Sequence, residues 1–351
     1  KQLQNYVKEN YVQPYSYNKI SKSATDKLNS INSIVSTILN NKNGDIVYNT
    51  SSSQSLYLLA NSLYDNWNND TNVDKNIILS SFSHESATTP FMVIANNTNT
   101  KIKFWDLGPD YSINYNDLIE QVDSSTKLVV IPHVSNILGN VIEIQSVIRD
   151  IKKINQTTQV LVDGVAYMPH GLIDVDKYNV DYYVVSFYKF LGLRISAMYI
   201  KSGILPNLSN QNHYIFSDDM YNNSPSKLQV GGINYELASS ILGVKDYLID
   251  YYKKIKNISN EEYIEFTREI VMCVMEHINT YELTLTKKLN QLISFNDEIS
   301  IIQDSRKAKT PIFSLTFKNY NIDNVNLVLN NLNILSNTGK FYCNRLFDIL
   351  N

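Results

Sequence analysis

Two residues of opposite charge close neighbouring apolar runs in this chain. Asp163 ends the run QVLVD (159–163), and Lys189 stands just past DYYVVSF (181–187), about one strand–helix crossover further on. A carboxylate and an amine at adjacent strand ends can form a plain ion pair. They can also serve pyridoxal 5′-phosphate: the lysine forms a Schiff base, and the carboxylate keeps the pyridine nitrogen protonated so that the ring accepts electrons from a carbanion. Burial of the lysine would then lower its pKa toward the nucleophilic range. A third part of such a site is a phosphate cradle, and Thr50-Ser51-Ser52-Ser53 lies between the run DIVYN (45–49) and a helical pattern from about Gln54. Hydroxyls and free N–H groups at a helix N-terminus suit a dianion, although serine is also a common N-cap.

The elements that must carry these residues are legible from periodicity. Short apolar runs at 45–49, 76–82, 101–106, 127–133, 159–163, 181–187 and 196–201 predict seven strands, apolar enough to be buried on both faces. Helical patterns at 53–67 and 143–155 alternate with them, which predicts an α/β fold with a largely parallel sheet covered by helices. Beyond Gly231-Gly232, the stretches 234–254 and 260–291 read as long amphipathic helices, followed by strands at 298–303 and 311–317 and a helix near 322–332. The expected division is a large domain over 41–245, a smaller α+β domain over 246–351, and a helical segment over 1–40 packed with the smaller one.

Composition narrows the function. Of 351 residues 43% are hydrophobic, and 31 basic against 34 acidic residues leave a net charge of −3. No basic stripe points to nucleic acid, so small-molecule chemistry is favoured. Two cysteines, Cys273 and Cys343, exclude a disulfide framework or a four-cysteine zinc site. No metal motif is present, nor a G-x-G-x-x-G or G-x-x-x-x-G-K-[ST] nucleotide fingerprint. No apolar run has the length of a membrane span and no signal peptide opens the chain, so a cytoplasmic protein without membrane contact is expected.

The stretch VLVDGVAYMPHGLIDVDKYNVDYYVVSFYKFLG (160–192), with HVSNILGN (133–140) before it and QVGGINYELASSILGVKDYL (229–248) after it, resembles the class V aminotransferase family, in its cysteine desulfurase-like branch. The likeness runs from about residue 20 to 347. It implies the fold type I architecture of pyridoxal-phosphate-dependent transferases: a mainly parallel seven-stranded sheet with a smaller α+β domain. It also implies an amino-acid substrate and a homodimer. By resemblance, Lys189 is the Schiff-base lysine and Asp163 the pyridine-nitrogen partner. His84, in FSHESATTPF, would stack on the cofactor ring, and Asn136 would approach its phenolic oxygen. Ser52, Ser53 and Ser186 would bind the phosphate. Gly231 and Gly232 fall where a partner subunit closes the phosphate site.

Departures from the family pattern concern the reaction. Ala166 stands where desulfurases carry a glutamine, leaving Asn136 to tune the phenolic oxygen. Tyr188 replaces the histidine before the lysine, and a phenol can still donate to phosphate. Gly232 replaces a threonine, leaving only backbone N–H to serve. Aligned on Gly339, the desulfurase nucleophile falls on Tyr342; in an extended segment Cys343 would then face the opposite way. Cys273, in REIVMCVMEHI, reads as core. The arginine that grips the substrate carboxylate in relatives has no counterpart, with Arg345 and Arg194 as alternatives. The leading expectation is a pyridoxal-phosphate enzyme acting on an amino acid by aminotransfer, β-elimination or desulfuration. The alternative is a catalytically retired dimer of the same fold serving as a binding or scaffold protein.

Overall fold

The computed structural model describes residues 1–10, 12–217 and 221–350. In chain order the elements are α1 (Gln2–Glu9), α2 (Lys19–Leu39), β1 (Asp45–Asn49), α3 (Ser52–Ser62), α4 (Tyr64–Asn68), β2 (Asn76–Ser80), α5 (Glu85–Asn97), β3 (Lys101–Trp105), α6 (Tyr115–Ile119), β4 (Thr126–Pro132), α7 (Ile144–Ile154), β5 (Gln159–Asp163) and α8 (Val175–Tyr178). They continue with β6 (Tyr182–Ser186), β7 (Ser196–Ile200), α9 (Tyr235–Lys256), α10 (Arg268–Ser294), β8 (Ile299–Ile301), β9 (Leu315–Phe317), α11 (Ile322–Asn331) and α12 (Asn344–Leu350).

The seven expected strands form one sheet in the order β1-β7-β6-β5-β4-β2-β3. Only β7 runs against the others, pairing antiparallel with both β1 and β6. Alternation along each strand divides the apolar side chains between two cores. Val129, Ile131, Val160, Val162, Tyr183 and Val185 face α2, α7 and α9. Leu128, Val130, Leu161, Tyr182 and Val184 face α3 and α5. Helix α7 shows why such helices form here: Ile144, Val147, Ile148 and Ile151 recur at helical spacing and are buried as one stripe. The N-terminal helices pack on α9, where Gln2 Nε2 donates to Asp246 Oδ2 at 2.6 Å.

Where expectation and structure differ, a local bond explains it. The helix expected from 260 starts only at Arg268. Helix α9 ends on Asn257 in the left-handed region, and Lys253 Nζ ties the next loop down through the Asn260 carbonyl at 2.9 Å. The guanidinium of Arg268 then binds the Thr37 and Ile38 carbonyls at the end of α2 (3.1 and 2.6 Å). The strand expected over 311–317 is confined to Leu315–Phe317; ahead of it the Thr310 N–H and hydroxyl bond to the Gly139 carbonyl and the Ser314 hydroxyl to the Ile137 carbonyl. The single helix expected over 53–67 is divided at Leu63 into α3 and α4.

Candidate active site

With β7 alone reversed, the carboxyl ends of β1, β2, β4, β5 and β6 lie along one edge of the sheet, and β2 and β4 sit side by side where the strand order turns back. Open α/β sheets bind ligands outside such a point. A cleft partly open to solvent lies there. Its lining brings together Ser52, Ser53, His84, Asn136, Asp163, Tyr188 and Lys189 from the sequence reading, together with Ser51, Ser86, Ala166 and Arg194.

Strand parity determines which face each group reaches. Val160 and Val162 point to the α7 side and Leu161 to the α3 and α5 side. Asp163 follows Leu161 in parity and so turns toward the N-terminal ends of α3 and α5. Its carboxylate is buried, with Oδ1 accepting the Val165 N–H at 3.0 Å. Burial raises its pKa, against weaker lowering by that bond and by the charges of His84 and Lys189.

His84 caps α5: its Nδ1 accepts the Ser86 N–H at 3.1 Å, and the Ser86 hydroxyl lies 2.8 Å from the same atom. The neutral ring therefore carries its proton on Nε2. Burial lowers its pKa, with the Asp163 charge opposing. At the head of α3, Ser51 Oγ accepts the Gln54 N–H at 3.2 Å, while Gln54 Oε1 accepts from Thr50 N (3.1 Å) and Oγ1 (2.7 Å). This cap leaves the first N–H groups of the helix, on Ser52 and Ser53, without protein partners among the described residues.

Lys189 ends the 3₁₀ turn Phe187–Lys189 that follows β6. Its side chain is exposed along the cleft, with Nζ 6.0 Å from the centre of the Tyr188 ring. Tyr188 lies on the same turn, and the Arg194 guanidinium sits 5.1 Å from its ring centre. Two expected site residues lie elsewhere. Ser186 is buried at the end of β6, opposite Ser196, and does not line the cleft. Gly232, with φ of 95°, lies in a separate groove with Thr50, Gln54 and Gly231.

The segment before α12 latches onto the cleft mouth. The Tyr342 carbonyl accepts the Glu85 N–H at 2.7 Å and the Phe341 carbonyl accepts from Asn136 Nδ2 at 2.9 Å. The Asn136 amide group is thus engaged by this segment. Phe341 and Tyr342 have φ of 47° and 56°, so the chain turns here instead of running extended. Tyr342 faces outward with its ring centre 5.3 Å from that of His84. Cys343 turns inward, is fully buried, and its thiol donates to the Ser83 carbonyl at 3.3 Å. Burial pushes that thiol up to about 12, far from the thiolate that nucleophilic attack needs. Cys273, expected in the core, is only half-buried on α10. Arg345 stacks on Phe104 at 3.5 Å and does not line the cleft; Arg194 does.

Behind Asp163 lies a cluster that the sequence reading missed. His133 stacks on Tyr167 with ring centres 3.6 Å apart, and its Nδ1 is 2.6 Å from the Tyr183 hydroxyl. Burial takes the His133 pKa down to about 3, so the ring is neutral. The signal was Gly164: a Cβ there would lie 2.2 Å from the Tyr183 ring, so this aromatic can close under the end of β5 only beside glycine.

The profile of the family described as "Aminotransferase class-V" matches residues 1–349. A cysteine desulfurase of Wigglesworthia glossinidia brevipalpis is 26% identical over 289 residues, covering 79% of this chain and 68% of that protein. The aminotransferase-like protein FGM3 of Gibberella zeae is 32% identical over 174 residues, 49% of this chain and 42% of its own length. Among solved structures, the apo cysteine desulfurase of Thermococcus onnurineus NA1 superposes with a TM-score of 0.81 at 18% identity, covering 99% of this chain and 84% of that one. Escherichia coli CsdA gives 0.77 at 17%, covering 99% and 82%. With its family profile matched nearly end to end and the mainly parallel seven-stranded sheet of fold type I in common with these structures, the chain belongs to the class V aminotransferase family of pyridoxal-phosphate enzymes, in its cysteine desulfurase-like branch.

Proposed function

We propose that this protein is a pyridoxal-phosphate-dependent transferase or lyase acting on an amino acid, held together as a homodimer. The observation that carries the reading is one cleft lined by an accessible lysine, a buried carboxylate, a capping imidazole and the N-terminal turn of a helix. The donor set fits the cofactor. Asp163 has a buried carboxylate with one backbone hydrogen bond, which suits a protonated ring nitrogen. The Ser52 and Ser53 N–H groups suit the phosphate, and the His84 ring suits a stacked heterocycle. When bound, the cofactor supplies the electron sink that stabilises a carbanion at the substrate's α-carbon.

This chain's residues supply the rest. Lys189 Nζ would hold the cofactor, and the same amine, exposed along the cleft, is placed to take a proton from a bound amino acid. Asp163 keeps the ring nitrogen protonated, and Asn136 and Tyr342 bound the cleft mouth. The buried Cys343 thiol, turned to the Ser83 carbonyl, supports a reaction that does not pass through Cys343. To test the reading, the protein is loaded with pyridoxal phosphate and mixed in turn with a panel of amino acids including cysteine. A change in the cofactor's absorbance with at least one is expected. No change with any contradicts an amino-acid enzyme.

A further inference from the structure

We infer that Arg194 supplies the positive charge that holds the cofactor's phosphate, an inference that rests on the cofactor reading above. Charge accounting in the cleft leads to it. Of its lining residues only His84, Lys189 and Arg194 can be cationic. His84 spends Nδ1 as an acceptor for the Ser86 N–H, and burial disfavours its charged form. Lys189 is committed to the cofactor's carbonyl carbon, away from the phosphate. The head of α3 contributes hydroxyls, N–H groups and the partial charge of a helix end, about half a unit, which leaves most of a dianion uncompensated. Gly232 adds no side chain, and Ser186 does not line the cleft.

The geometry of the arginines points the same way. Arg268 is spent on backbone carbonyls, Arg306 on Asp304, Arg149 on Asp150, and Arg345 stacks on Phe104. Arg194 makes no ion pair or side-chain hydrogen bond among the described residues. Its guanidinium is steadied over the Tyr188 ring at 5.1 Å, in the same cleft as the serine turn. A planar fork with unspent N–H donors, held beside a phenol in the cleft that the α3 N-terminus also lines, matches a phosphate group.

The test compares two ligands that differ only in the phosphate. Apo protein is titrated with pyridoxal 5′-phosphate and, separately, with pyridoxal, for wild type, Arg194→Gln and Arg194→Lys, following binding by absorbance. The expected result for R194Q is a roughly 10- to 100-fold weaker affinity for pyridoxal phosphate with pyridoxal affinity unchanged, and for R194K a smaller loss. Pyridoxal is also the folding control. The inference is overturned if R194Q binds pyridoxal phosphate as tightly as wild type, or if both ligands weaken equally. It is overturned too if only the amino-acid concentration needed for a spectral response rises, which would assign Arg194 to the substrate carboxylate. Wild-type protein that fails to bind pyridoxal phosphate would overturn the cofactor reading itself, a different outcome from a wild type that binds and a variant that binds equally well.

Discussion

Asp163 shows how burial becomes function. Its folded pKa is raised above the unfolded value, so the fold favours the protonated acid. That contribution is fully present below the unfolded pKa and is lost as pH rises through the raised folded pKa. At neutral pH burial of this acid therefore costs the apo protein stability, and a cationic ring nitrogen removes that cost. Asp163→Asn should make the apo protein more stable to urea at pH 7. The gain should shrink as the pH falls below the carboxylate range, and the variant should bind pyridoxal phosphate more weakly. A variant no more stable than wild type at pH 7 would contradict this account. The pair itself was legible because both residues close apolar runs. Arg194 was legible only as an alternative for the substrate carboxylate, since an exposed arginine reads as surface until the cleft around it is known.

The strands were legible as elements because two-sided burial leaves near-continuous apolar runs, and β1 and β5 agree with expectation to the residue. Helix α5, which carries His84 at its head, was missed: Pro90 and a polar start, ESATT, hide its buried face of Ala87, Phe91, Ile94 and Ala95. The offset between Tyr342 and Cys343 was argued for the case of an extended segment; the left-handed residues Phe341 and Tyr342 make it a turn. Its consequence for Cys343 nonetheless agrees with the offset seen in sequence, because the thiol faces Ser83 and not the cleft. Cys343→Ser should leave the amino-acid response of the loaded protein unchanged and cost about 1 kcal/mol of stability. In the native protein, alkylation should reach Cys273 before Cys343. Loss of the response in C343S, with cofactor affinity intact, would restore the thiol as a participant.

For the whole molecule, the sheet gathers the cofactor-facing groups, while the N-terminal helices and α9 build the other face of the core. Gly231 and Gly232 have φ of 73° and 95° and line a groove apart from the cleft, Gly231 with no atom near its missing Cβ. We propose that a partner chain meets them, and light scattering of the loaded protein should give twice the chain mass; a monomer that holds the cofactor would contradict the dimer. The central claim is covalent attachment at Lys189. Borohydride reduction of the loaded protein, followed by digestion and mass spectrometry, should place one cofactor-sized mass on the peptide containing Lys189 and none on that peptide in Lys189→Ala. Wild-type protein with no such mass, or with the mass spread over its other lysines, would contradict the account.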